Sequence, residues 1–68
     1  MNRTPVVSSN IASIGYEDGT LEVEFKSGGD YQYIGVPEHV YRSFLVAPSK
    51  GSYFEEHIRD QYLTLRLV

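Results

Sequence analysis

Residues 17–33 read Glu17-Asp18-Gly19-Thr20-Leu21-Glu22-Val23-Glu24-Phe25-Lys26-Ser27-Gly28-Gly29-Asp30-Tyr31-Gln32-Tyr33, and this stretch decides the fold. Leu21, Val23 and Phe25 alternate with Glu22, Glu24 and Lys26, the period-two pattern of a half-buried strand. An Asp-Gly turn precedes that strand and a Gly-Gly turn follows it, so three strands are joined by two hairpins. If Asp18-Gly19 is a two-residue turn, Tyr16 lies opposite Leu21, Ile14 opposite Val23 and Ala12 opposite Phe25. Every apolar partner then falls on one face.

The same rule applied to Gly28-Gly29 sets Phe25 against Gln32, Val23 against Ile34 and Leu21 against Val36. Tyr31 and Tyr33 then point to the outer face, beside Glu24 and Lys26. A three-residue loop would instead turn both tyrosines into the core. The two-residue register is preferred because it leaves only Gln32 out of place. On the outer face the tyrosines would offer a stacking or subunit-contact surface, although Glu22 and Glu24 share it and repel phosphate.

Working outward, residues 1–7 read as a loose arm, with order beginning at Ser8-Ser9-Asn10. Downstream, Pro37 suits the first position of a helix, and Val40, Phe44 and Ala47 recur at helical spacing, predicting an amphipathic helix over residues 37–47. Pro48 ends it. Ser52, with Glu55 three residues later, makes a capping box for a second helix that buries Phe54 and Ile58. Residues 62–68 alternate again as a closing fourth strand. The expected class is α+β in the order βββααβ, one domain over residues 1–68 with both helices on one face of the sheet.

A chain of 68 residues buries only roughly 60% of its unfolded surface. Disulfides, metals or oligomerisation commonly support so small a core. There are no cysteines, and His39 and His57 form no metal-ligand spacing, so no metal or cofactor is expected and self-association is the expected support. No signal-like leader or membrane-length apolar run is visible, which suggests a reducing cytosol. The net charge of −3 lacks the basic footprint of proteins that track long nucleic acids.

The best site candidate is Ser49-Lys50-Gly51-Ser52 ahead of the second helix. Unpaired N–H groups at a helix start attract anions, glycine admits close approach, and lysine adds charge. The same four residues also make a plain turn with an N-cap. The spacing is not that of a phosphate-binding Walker loop. Arg42 and Arg59, if folded toward this loop, would favour anion binding, and Tyr41 and Tyr53 could line a groove between helices and sheet. His57 beside Glu55 and Glu56 lacks the positioned nucleophile of a hydrolase, so no catalytic residue is assigned.

Four stretches together resemble the KTSC domain: Ser8-Ser9-Asn10-Ile11; Gly19-Thr20-Leu21-Glu22-Val23-Glu24-Phe25; Tyr31-Gln32-Tyr33 with Gly35-Val36-Pro37; and Ala47-Pro48-Ser49-Lys50-Gly51-Ser52-Tyr53-Phe54. That domain occurs at the C-terminus of certain lysyl-tRNA synthetases and alone in bacterial and phage proteins. The resemblance implies RNA binding and supplies no catalytic residues. The tail, Tyr62-Leu63-Thr64-Leu65-Arg66-Leu67-Val68, is poorer in cations than family members often are. The resulting expectation is a non-enzymatic binder of a phosphate-bearing nucleotide: an RNA or tRNA element, or a small nucleotide. By extension, a stand-alone phage-type copy would be a homo-oligomer that sequesters a cyclic-nucleotide immune signal. Its ligand contacts would come from Ser49, Lys50, Gly51, Ser52, Tyr53, Arg59 and Arg42. The alternative is a protein-interaction or self-assembly module that uses the Tyr31/Tyr33 face or the edge of the last strand.

Overall fold

The computed structural model describes residues 1–68. Its elements are β1 (Arg3–Pro5), β2 (Ile11–Glu17), β3 (Thr20–Phe25), β4 (Asp30–Ile34), α1 (Glu38–Val46), α2 (Lys50–His57) and β5 (Leu63–Arg66). All five strands form one antiparallel sheet, and their order in space is their order in the chain. Phe44 from α1, with Phe54 and Ile58 from the α2 segment, packs on one face against Ile11, Ile14, Leu21, Val23, Tyr33 and Val36. The α+β class follows the sequence pattern; the sheet has one strand more than expected.

The first hairpin has the expected register. Tyr16 pairs with Leu21 and Ile14 with Val23, across a turn in which Asp18 and Gly19 both have positive φ, 50° and 80°. Two left-handed residues in sequence give the turn whose twist matches the flanking strands. The register shifts between Ile11 and Ser13, so Phe25 faces Ile11 rather than Ala12.

The second hairpin departs from the preferred register. Phe25 N–H donates to Gly29 O at 3.1 Å and Gly28 N–H to Phe25 O at 3.0 Å, enclosing Lys26-Ser27-Gly28 as a three-residue loop. Leu21 therefore pairs with Tyr33 and Val23 with Tyr31. Both tyrosines lie on the core face. Tyr33 is 4% exposed, and Tyr31 is half-buried with its ring edge-on to Phe25. Gln32 moves outward and donates to Glu22 at 3.0 Å, which removes the one misplaced polar group of the two-residue register. The outer-face stacking surface assigned to Tyr31 and Tyr33 does not exist.

The N-terminal arm is also ordered differently from expectation: Arg3–Pro5 pairs with β2 as an edge strand. Its anchor is a long-range ion pair. Arg3 Nε donates to Glu22 at 2.5 Å, and Arg3 Nη2 to Asp30 at 3.3 Å, across the outer face of the sheet. Gly15 opposite Arg3 makes room, because a Cβ there would lie 2.8 Å from the Asn2 carbonyl oxygen.

Candidate functional site

Ser49, not Ser52, caps α2: its hydroxyl accepts from Ser52 N–H at 3.2 Å. Both serines are competent caps. The choice of Ser49 starts the helix three residues earlier than a Ser52 cap would, so Lys50, Gly51 and Ser52 form its first turn. Tyr53 N–H donates to Ser49 O, leaving the N–H groups of Lys50 and Gly51 without a partner within the chain.

This helix start forms one wall of a cleft of about 550 Å³. Ser8, Ser9 and Asn10, on the approach to β2, form the facing wall, while Ile11, Phe25 and Phe54 supply apolar floor. The walls nearly touch: a Cβ on Gly51 would lie 3.7 Å from the Asn10 side-chain nitrogen, an ordinary contact. Ser8 Oγ accepts from Ile11 N–H at 3.2 Å, a local turn that sets the direction in which Asn10 enters the strand. Two stretches far apart in sequence, Ser8–Asn10 and Ser49–Ser52, thus face one another. Sequence reasoning placed only the second in the site. The signal for the first was present as polar residues just before a strand, without a partner to interpret them.

The charges in the cleft are mixed. Lys50 Nζ is turned back to the Ala47 carbonyl at 2.6 Å, where it closes the end of α1. Glu55 and Glu56 line the same cleft. Arg42 is not there; it pairs with Glu38 on α1 at 2.7 Å. Nor does Arg59 reach it, being held by Glu55 at 2.7 Å on the far side. Both arginines sit four residues after a glutamate, so helical pairing claimed them. Tyr53 also faces away. Its ring stacks on Phe44 at 5.4 Å and its hydroxyl donates to Val40 O at 3.0 Å, which ties α2 to α1. Tyr41 stacks on Tyr16 at 4.7 Å instead of lining the cleft. His57 lies against the Tyr53 ring at 4.5 Å. No three His, Asp or Glu side chains converge where a metal ion could be held.

Beyond the edge-to-face pair Phe25–Phe54, 5.3 Å between centroids, lies a smaller groove of about 380 Å³. Tyr31, Tyr33, Arg59 and Thr64 line it. The two tyrosines therefore border a groove on the helix side of the sheet.

A family model for the KTSC domain matches residues 7–62. The chain belongs to the KTSC domain family. A crystal structure of a KTSC domain protein from Yersinia pestis superposes with a TM-score of 0.95 at 43% identity, covering 98% of this chain and 97% of that one. A protein of Stutzerimonas stutzeri is 41% identical over 64 residues, 91% of this chain and 90% of its own length. The lysine–tRNA ligase of Nostoc punctiforme is 39% identical over 56 residues, and the matched part is 10% of that ligase. Both walls of the cleft lie inside the matched KTSC segment, whereas β1 and β5 lie outside it. No helix of this KTSC chain is long and apolar enough to cross a membrane.

Burial pushes the Tyr33 phenol up to about 12, and neighbouring Tyr31 acts in the same direction. A pKa raised in the folded state makes the neutral phenol a source of stability. That contribution is complete below pH 10 and lost as pH rises from there toward about 12. An ultraviolet titration should show Tyr33 ionising only toward about pH 12, together with or after unfolding. A single transition at the ordinary tyrosine value with the fold intact would show that Tyr33 is open to solvent.

Proposed function

We propose that this KTSC chain is a non-enzymatic binding module for a phosphate-bearing nucleotide, held in the cleft between Ser8–Asn10 and Ser49–Ser52. The observation that carries this reading is the meeting of those two polar stretches over an apolar floor. Convergent polar groups around an apolar base are the general form of a small-ligand site. A phosphate fits the Lys50 and Gly51 N–H groups, with Lys50 able to exchange the Ala47 carbonyl for the ligand. Glu55 and Glu56 suit donors such as ribose hydroxyls or amino groups, and they oppose a second phosphate. A compact ligand with one phosphate near α2 fits this charge pattern better than a long RNA backbone. The similarity to part of a lysine–tRNA ligase supports a nucleotide class of ligand, which includes a single exposed nucleotide of a tRNA.

Calorimetric titrations with mononucleotides, cyclic dinucleotides and tRNA separate these ligands. Lys50→Ala and Asn10→Ala should each weaken the ligand that binds by about tenfold or more, since losing one charged or polar anchor costs roughly 1.5–3 kcal/mol. Absence of heat with every nucleotide, or equal affinity in both variants, would falsify the reading.

A further inference from the structure

The two edges of the sheet are not alike. β1 is three residues long and contains Pro5, which lacks an N–H; both features discourage added strands. β5 has no proline, lysine or bulge. Its single charge, Arg66, lies over the Tyr31 ring at 5.5 Å and donates to Val68 O at 2.8 Å.

The phase of β5 is set by its pairing with β4. Leu67 N–H donates to Asp30 O at 2.7 Å, while Leu65 lies opposite Gln32 and Leu63 opposite Ile34. Odd-numbered residues therefore direct their backbone groups toward β4, and Thr64 and Arg66 direct theirs to the free edge. The side chains of Leu63, Leu65 and Leu67 share the outer face with Gln32, the face without helices. They are 67%, 46% and 45% exposed.

Leu63-Thr64-Leu65-Arg66-Leu67 is symmetric about Leu65 in its alternation of leucine and polar residue. A second copy, related by a two-fold axis at Leu65, sets Thr64 against Arg66 of the other copy. Those are the residues with free edge groups, so both exchange hydrogen bonds. The same register places Leu65 against Leu65 and Leu63 against Leu67, aligning six leucines in one ladder. Backbone phase and side-chain pattern meet on a single axis, as an isologous contact requires. We infer that β5 is a self-association edge, pairing antiparallel with β5 of a second copy to continue the sheet across a homodimer. Five paired residues and one leucine ladder fall short of a standard interface, which buries about 1,600 Å². The dimer is therefore weak and concentration-dependent.

The chain has no cysteines, so introduced ones report geometry cleanly. Directly opposed residues at the axis have Cα atoms about 4.5 Å apart, within disulfide reach. Two copies of residue 67 lie about 13 Å apart, four residues of strand rise, and cannot be bridged. Under mild oxidation Leu65→Cys should form a covalent dimer and Leu67→Cys should stay monomeric. In sedimentation velocity the unmodified chain should move from monomer toward dimer with concentration, and Leu65→Lys should weaken that at least tenfold, with circular dichroism unchanged. If Leu65→Lys loses its fold, the cysteine pair still decides. A monomer up to about 1 mM, equal cross-linking of both cysteine variants, or a dimer that a folded Leu65→Lys leaves intact each overturns the inference. So does capture of a different protein on β5 by a chain that does not self-associate.

Discussion

Phe44→Ala should leave the chain largely unfolded at room temperature. Phe44 is fully buried, stacks on Tyr53 and reaches Phe54, so it is where α1, α2 and the sheet meet. Truncating a buried phenylalanine costs about 3–5 kcal/mol, through lost transfer energy and the cavity left behind. A domain of this size rarely has more than roughly 3–5 kcal/mol in total. Loss of near-ultraviolet circular dichroism and collapse of amide chemical-shift dispersion would report the result. Phe44→Leu, which keeps most of the volume, should stay folded. A cooperative melt of Phe44→Ala near that of the unmodified chain would show that the helices do not depend on this contact. Phe54 also lines the cleft between Ser8–Asn10 and Ser49–Ser52, so unfolding at Phe44 removes the cleft as well.

The second large effect is at Arg3. Glu22 is only 6% exposed, and burial alone would raise its pKa; the Arg3 and Gln32 hydrogen bonds overcome this and hold it below the usual carboxylate range. Arg3→Ala leaves the carboxylate with Gln32 alone. Removing one partner of a fully buried pair costs about 3–5 kcal/mol, and partial exposure of Arg3 reduces that to roughly 2–4 kcal/mol. The pH dependence carries the sign. With its pKa depressed in the fold, Glu22 contributes stability above the ordinary carboxylate pKa, and that is lost as pH falls through the lowered value. In Arg3→Ala burial dominates, the pKa moves up, and this contribution to acid sensitivity reverses. Urea titrations between pH 3 and pH 7 should therefore show the two proteins furthest apart at neutral pH and converging in acid. A constant gap across that range would mean that Arg3 acts by packing rather than by charge.

How far the sequence discloses this fold depends on how much each signal commits to. Asp18-Gly19 admits essentially one short turn, and the first hairpin follows from it. Gly28-Gly29 serves equally in a two-residue turn or in a longer loop whose glycines carry the positive φ, 105° and 99°, seen here. The polar position of Gln32 was the clue to the longer loop, because only that register lets it meet Glu22. Arg3–Pro5 has no local strand signal; what fixes it is a carboxylate nineteen residues away and a glycine without a side chain on the adjacent strand. At the site, Ser49–Ser52 was legible because helix starts have a chemical signature. Its opposite wall was not, since Ser8–Asn10 acquires meaning only when the sheet delivers it. Arg42 and Arg59 pair with Glu38 and Glu55, which stand one helical turn before them in the sequence.

The strand order has a kinetic meaning. Each neighbouring pair from β1 to β4 closes through a short connection, so these strands can zip in sequence with little loop entropy to overcome. β5 is the exception. It is separated from β4 by residues 35–62, which hold both helices, so its closure carries the largest loop entropy in the sheet. The leucine edge is therefore expected to close last, on a chain whose other strands are already paired. Its open backbone groups do not exist as an ordered row during earlier steps, when they would offer a template for mispairing between half-made chains. On the self-association proposed above, pairing between copies would wait for a finished molecule.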